Sequence, residues 1–258
     1  MSLSASNFKA NLCKISLMSF LLVSSTIAAS TEKNTDLASV YKTAISSAQR
    51  PAADLKKDKT RKPSKILPFS QIKPGDKVYE IGAGGGYTTE LLARVVGKSG
   101  KVLAHRLFNA KRVEGGRLPN IITLRDHTLF ELRDVFTENH IGKNELDAVI
   151  VFFILHDTYL NAEMDQSILK TLYSYLKPEG VLVILDNAAD ADSGLTSTKK
   201  LHRIGENLVI ADLEKAGFVV DGTSDVLRNN QDDHTKPWGE FAGSQDRFAI
   251  RFKKKTKQ

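Results

Sequence analysis

From Lys77 onward, short apolar runs alternate with amphipathic segments, and this alternation restricts the fold more than any other feature of the 258 residues. The runs KVYEIG (77–82), KVLAHR (101–106), NIITLRD (120–126), LDAVIVFFIL (146–155), VLVILD (181–186), VVDGTS (219–224) and RFAIRFK (247–253) predict seven strands. Between them, YTTELLARVVG (87–97), AEMDQSILKTLYSYL (162–176) and ENLVIADLEKAGF (206–218) carry helical periodicity, with Ile168, Leu169, Leu172 and Leu176 sharing one face. Repeated strand–helix units build a parallel sheet, because parallel neighbours need a crossover whereas antiparallel ones can be joined by a loop. The near-continuous apolarity of 146–155 marks a central strand covered on both faces. The last two strands are separated by RNNQDDHTKPWGEFAGSQ (228–245), a polar, turn-rich stretch without a crossover helix, so an antiparallel last strand is expected.

The amino-terminal third has a different composition. Lys9 and Lys14 precede ISLMSFLLVSSTIAAS (15–30), which ends in the small residues Ala28, Ala29 and Ser30, the layout of a cleavable export signal. Its apolar stretch is shorter than the roughly 20 residues a membrane-spanning helix needs, so no stable span is expected after cleavage. Cys13, the one cysteine, lies before that stretch, where it suits neither a lipid anchor nor a disulfide. TDLASVYKTAISSAQR (35–50) reads as a leading helix and 51–68 as a Pro- and Lys-rich connector. The expected organisation is a signal peptide over 1–30, a leading helix and connector over 31–68, and one α/β domain over 69–258, exported to a secreted or periplasmic location. The net charge of +7 gathers in DLKKDKTRKPSK (54–65) and the tail RFKKKTKQ (251–258), which read as solvated segments, and no nucleic-acid partner is expected.

Glu80 closes the first strand and is followed by Gly82, Ala83, Gly84, Gly85 and Gly86 before the helix that opens at Tyr87. A glycine turn there sets main-chain amides at the carboxyl edge of the sheet, where open α/β sheets bind ligands. The dinucleotide spacing G-x-G-x-x-G fails, since the sixth position from Gly82 is Tyr87, and no lysine follows as a phosphate-binding loop requires. The pattern E-x-G-x-G-x-G instead resembles the first motif of class I S-adenosylmethionine-dependent methyltransferases. LKPEGVLVILD (176–186) is similar to that family's fifth strand and its preceding loop. RPAADLKKDKTRKPSKILPFSQIKPGDKV, LHDTY, LHRIGENLVIADLEKAGF and LRNNQDD resemble secreted or periplasmic methyltransferase-like proteins more narrowly.

The resemblance implies a Rossmann-like, mostly parallel seven-stranded sheet with helices on both faces, S-adenosylmethionine as cofactor, and a small-molecule methyl acceptor. It implies that Glu80 organises the glycine loop, that Gly82, Ala83, Gly84 and Gly86 lie against the cofactor, and that Tyr87 stands beside it. Asp126, after the third strand, is either the acid that meets the adenine amino group or an ordinary turn residue. Most of the family closes its second strand with an acid that holds the ribose; here His105 or Arg106 stands in that place, and a neutral imidazole cannot offer two acceptor oxygens. His156 and Asp157 follow the fourth strand, where an acceptor would sit; His156 reads as a general base or a satisfied polar residue, Asp157 as its companion or a helix cap. His202, Asp232 and His234 offer metal-ligand types, but nothing in their spacing makes them converge, and no metal is expected. Tyr41, Tyr87, Phe152, Phe153 and Trp238 are candidates for an aromatic wall near a sulfonium. The alternative to an enzyme is a binding protein of the cell envelope, derived from the same fold, that has lost or changed its cofactor.

Overall fold

A computed structural model describes residues 36–107, 118–124, 141–160, 165–241 and 245–255. The expected signal at 1–30 and Asp126 lie outside the described residues. The strands are β1 (Lys77–Ile81), β2 (Lys101–Ala104), β3 (Ile121–Thr123), β4 (Leu146–Phe152), β5 (Leu176–Asn187), β6 (Phe218–Thr223) and β7 (Arg247–Lys254). They form one seven-stranded sheet in the order β3-β2-β1-β4-β5-β7-β6. All pairs up to β4–β5 are parallel, and β7 runs antiparallel to both β5 and β6. The seven expected strands and the antiparallel last strand are present.

Period-two alternation divides the core between the two faces of this sheet. Tyr79, Ile81, Val149, Val151, Leu182 and Ile184 point to one face, where they meet Ile168, Leu169 and Leu172 of α6 (Gln166–Tyr175) and Val209 and Leu213 of α8 (Glu206–Ala216). Val78, Ala148, Ile150 and Val183 point to the other, against α1 (Leu37–Ser46), α3 (Pro63–Ser70) and α4 (Tyr87–Val96). Glu80 falls on this second face by the same parity, and that is why a hydroxyl of α4 reaches it. Among the described residues no helix is long and apolar enough to cross a membrane.

Two expectations change. The connector at 51–68 is helical: α2 (Ala52–Arg61) ends in a left-handed Lys62, and α3 follows at once with Pro63 in its first turn. Proline is tolerated there because the first-turn N–H has no intrahelical partner in any case. Only Asp54 of α2 is buried, so the helix has no apolar stripe to read; α3 buries Pro63, Ile66, Leu67 and Ser70. Strand β4 stops at Phe152 rather than running to residue 155, and Phe153, at φ 61°, turns the chain into α5 (Leu155–Leu160). That turn places His156 and Asp157 in the first turn of a helix. The KPEG segment at 177–180 is a bulge within β5, since Leu176 pairs with Leu146 and Val181 already pairs with Ala148.

Candidate functional site

The loop between β1 and α4 is held by main-chain bonds. The amide of Ala83 donates to His105 O at 2.7 Å, that of Gly84 to Arg106 O at 3.0 Å, and that of Gly86 to Ala83 O at 2.9 Å. The loop is thereby stitched to the continuation of β2. Gly82 and Gly84 adopt φ of 73° and 54°, which a residue with a Cβ enters only at a cost. Their surroundings differ. A Cβ on Gly82 would stand 2.9 Å from Ile154 Cγ2, whereas among the described residues, chain neighbours aside, one on Gly84 would meet nothing nearer than Gly82 O at 3.9 Å, and one on Gly85 nothing within 4 Å. The loop therefore packs at its root and is bare at its tip. Gly82→Ala should cost about 2 kcal/mol, combining left-handed strain with overpacking. Urea denaturation checks this, and an unchanged midpoint would mean that Ile154 yields without strain.

Beneath the loop Glu80 is 3 % exposed and accepts a hydrogen bond from Thr89 Oγ1 at 2.6 Å. Tyr87 is turned toward α2, donating its hydroxyl to Asp58 Oδ1 at 2.7 Å, while Asp58 takes two bonds from Arg50 at 2.7 Å. His105 is fully buried, its ring 6.4 Å from that of Tyr79, so it belongs to the core rather than to the crevice. Arg106 follows in a left-handed turn.

Sequence reasoning missed a pair of cations nearby. Arg61, at the end of α2, lies 4.7 Å from the centre of the Tyr87 ring and 5.3 Å from that of Phe153; Arg247, at the start of β7, lies 5.0 Å from the same Phe153 ring. Burial lowers the pKa of both, and Arg247 is brought down to about 10, the charge of Arg61 adding to the effect. Two guanidiniums on one ring make a place where an anion is welcome. Tyr87, Phe152 and Phe153 do gather there, around a cavity of about 20 Å³. Tyr41 does not join them: it is a buried residue of α1 and donates its hydroxyl to Ile72 O at 2.8 Å. Trp238 opens a short 3-10 turn, and its side chain is outside the described set.

A second cluster stands at the ends of β4 and β5. Asp186, fully buried, accepts from the amide of His156 at 2.9 Å and from that of Asn187 at 2.8 Å, and its Oδ1 lies 2.8 Å from His156 Nδ1. A carboxylate in that place fixes the tautomer: Nδ1 carries the proton and Nε2 faces outward. Asp157 Oδ1 lies 3.5 Å from His156 Nε2 and 3.2 Å from His202 Nδ1, and the two imidazole rings stand edge to face at 5.4 Å. Burial disfavours the imidazolium of His156, but Asp186, then Asp157, outweigh it and hold its pKa above the ordinary histidine value. His202 reaches this cluster from the end of the short helix α7 (Thr198–Leu201), at φ 53°. Asp232 and His234 go elsewhere. Asp232 pairs with Arg203 at 2.7 Å, and His234 lies between Asp190 and Asp246 at 3.0 and 3.2 Å.

Two roomier clefts lie apart from these groups. One of 720 Å³ opens between α1 and the end of α4, at the amino edge of the sheet, and one of 940 Å³ lies beside Asp225, Arg228 and Asp246. Neither is lined by any residue expected to act; the first also lies away from the carboxyl edge, where ligands of open α/β sheets bind, whereas the second lies beside the end of β5 at that edge.

Comparison with known proteins agrees with this geometry. The family model of protein-L-isoaspartate(D-aspartate) O-methyltransferase matches residues 58–108, which run from α2 through the glycine loop to β2. The ribosomal RNA large subunit methyltransferase E of Vesicomyosocius okutanii subsp. Calyptogena okutanii is 43% identical over 44 residues, 17% of this chain and 21% of that protein. The matched stretch thus spans about a fifth of that relative's length. Among solved structures, a SAM-dependent methyltransferase from Aquifex aeolicus superposes with a TM-score of 0.54 at 20% identity, covering 84% of this chain and 97% of that one. An arsenic(III) S-adenosylmethionine methyltransferase from Chlamydomonas reinhardtii gives a TM-score of 0.53 at 16% identity, covering 84% and 73%. The seven-stranded sheet has the Rossmann-like fold of S-adenosylmethionine-dependent methyltransferases.

Proposed function

We propose that this chain binds S-adenosylmethionine over the tip of the glycine loop and transfers its methyl group to a small-molecule acceptor that enters beside His156 and Asp157. The observation that carries the reading is the face at Gly84 and Gly85, where, among the described residues and chain neighbours aside, an added Cβ would meet no atom closer than 3.9 Å, at the carboxyl edge of this fold. Glu80, buried under the loop, supplies the charge that faces an ammonium, and Arg61 with Arg247 supplies the charge that faces a carboxylate. The amino-acid end of the cofactor carries both groups.

When bound, the cofactor supplies a methyl carbon made electrophilic by its sulfonium. Displacement there is in line, so the work of the protein is chiefly to hold the acceptor on the axis of the breaking bond. His156 suits the remaining task, because with Nδ1–H held by Asp186 its Nε2 is the atom that takes the proton an acceptor hydroxyl, thiol or amine sheds. We place the acceptor among small molecules, reading the basic tail at 251–258 as a solvated end rather than as a nucleic-acid surface.

A second reading, a binding protein that has lost or exchanged its cofactor, is favoured by two observations. The second strand leads into a fully buried His105 in place of a ribose-binding acid, and the cavity under Arg61 is about 20 Å³, so a carboxylate reaches the two guanidiniums only if Arg61 swings outward. Calorimetry with S-adenosylmethionine and S-adenosylhomocysteine separates the two readings. The enzyme reading expects micromolar binding, about −8 kcal/mol. Gly84→Asn, whose side chain tolerates the left-handed backbone but fills the bare face, should weaken it at least about tenfold. Absence of heat at millimolar ligand would sink the enzyme reading.

We also read residues 1–30 as an export signal, on the basic start, short apolar middle and small-residue end. Amino-terminal sequencing of the protein from its native host should find a start at about residues 29 to 31. Recovery of a chain that still begins at Met1 would reject export by cleavage.

A further inference from the structure

Asp157 Oδ1 is approached by two imidazole nitrogens, His156 Nε2 at 3.5 Å and His202 Nδ1 at 3.2 Å. Each of the three side chains offers one ligand atom within 4.8 Å of the others. On the His156 side this is an unusual contact. The Nδ1 proton is engaged by Asp186, so the outward Nε2 presents a lone pair, and it faces a carboxylate that can only accept. Two lone pairs brought together call for a positive centre between them, which a proton on Nε2 supplies in the imidazolium and a bound cation can supply in its place. Ligands that each sit about 2.1 Å from a metal ion stand roughly 3 to 3.5 Å from one another; the two spacings to Asp157 fall in that range, and the two histidine nitrogens lie within 4.8 Å of each other.

We propose that His156, Asp157 and His202 form a binding site for a divalent first-row transition cation of the zinc class. Two imidazoles and one carboxylate are a donor set for such ions rather than for magnesium or calcium, which take oxygen ligands. Three features support a built site. Asp186 holds His156 from behind through both its ring and its amide, the outer-shell carboxylate that orients a ligating imidazole. His202 keeps a left-handed backbone, and the neighbouring structure maintains it: Asn187 Nδ2 donates to His202 O at 3.2 Å, and the next residue, Arg203, is fully buried. The site is also reachable from solvent, because the side chains of Asp157 and His202 are 30 % and 41 % exposed while His156 closes the floor.

Three protein ligands leave coordination positions open at the edge where the acceptor would enter. One consequence rests on the methyl-transfer reading: a cation held by His156 Nε2 would occupy the atom that otherwise takes the acceptor's proton and would instead lower the pKa of an acceptor bound to it, which narrows the acceptor to a molecule with a metal-ligating oxygen, nitrogen or sulfur. The site itself does not depend on that reading.

The test uses the full-length folded protein, stripped with a chelator and without S-adenosylmethionine. Titration with Co²⁺, followed by its visible absorption, and with Zn²⁺, followed by calorimetry, should show one saturable site. His202→Ala and Asp157→Asn should each weaken it by at least about tenfold, and Asp186→Asn should weaken it by roughly 10- to 100-fold through loss of the orienting carboxylate. His234→Ala, which removes an imidazole outside the cluster, should leave affinity unchanged. Circular dichroism confirms that each variant is folded; His202 is a surface residue, so its variant is the one to rely on if Asp186→Asn is not. Absence of saturable binding at 100-fold the protein concentration would overturn the site, as would binding that survives His202→Ala or is lost in His234→Ala. Cation binding without cofactor binding keeps the site and removes the methyl-transfer reading; the reverse result does the opposite.

Discussion

Replacing Arg203 by methionine should remove about 3 to 5 kcal/mol of stability, a large share of what holds a domain folded. Among the described residues Arg203 is the largest fully buried side chain, and its guanidinium is spread over three partners: Nε donates to Lys236 O at 2.8 Å, Nη1 to Ala188 O at 2.8 Å and Nη2 to Asp232 Oδ2 at 2.7 Å. Asp232 in turn accepts from the amides of Asp246 at 2.7 Å and His234 at 3.0 Å, so one arginine ties the chain after α7, the end of β5 and the loop that leads into β7. Methionine fills much of the volume but leaves Asp232 as a buried anion without its cation. The double variant Arg203→Met with Asp232→Asn should recover part of the loss, because removing both charges is less costly than orphaning one. Urea denaturation of the three proteins measures this, and a loss under about 1 kcal/mol for Arg203→Met would show that the pair is not closed in solution.

The same contact carries an acid limb. Burial raises the pKa of Asp232, but the amide of Asp246, the guanidinium of Arg203 and the amide of His234 together outweigh it and set the folded value below the ordinary carboxylate range. A depressed folded pKa contributes stability that is complete above the unfolded value, about 3.9, and is lost as pH falls through the folded one. Stability should therefore decline below about pH 4, and that part of the decline should vanish in Asp232→Asn.

Asp186→Ala is expected to cost about 3 kcal/mol or more, since it strands two buried donors of His156, the amide and the ring N–H, together with the amide of Asn187. His156 is 3 % exposed, so water cannot replace the lost acceptors without entering the core. Asp186→Asn keeps the shape and one acceptor oxygen and should lose less. A double-mutant cycle with His156→Ala isolates the contact, and coupling above about 1 kcal/mol is expected. Additive effects would mean that Asp186 stabilises the end of β5 on its own.

The local pattern was enough for the frame. Seven strands, the helices between them and the antiparallel last strand follow from alternation and from the missing crossover in 228–245, because side-chain period and connection length are local properties. Gly82 to Gly86 were legible for a similar reason: left-handed backbone between a strand and a helix calls for glycine wherever it occurs. The helices of 51–68 were not legible, since α2 has almost no buried face and the apolar residues of α3 acquire meaning only against the sheet. Nor could spacing show that β4 ends at Phe152 and turns His156 onto a helix, an apolar run being equally consistent with a longer strand.

The candidate site lies still further from local reading. Arg61 and Arg247 are 186 positions apart and share the ring of Phe153, and His202 meets Asp157 across 45 positions while its sequence neighbour Arg203 faces the opposite partner, Asp232. What the sequence determined alone is the order of strands and helices along the chain and the glycine turn between the first strand and its helix; what the tertiary structure decided is which charged groups meet at the carboxyl edge and that the amides of Ala83, Gly84 and Gly86 are bonded within the protein. The physical reason is range: backbone preference and hydrophobic period act over a few residues, whereas a charge finds its partner only after the sheet has brought distant segments within a few ångströms of one another.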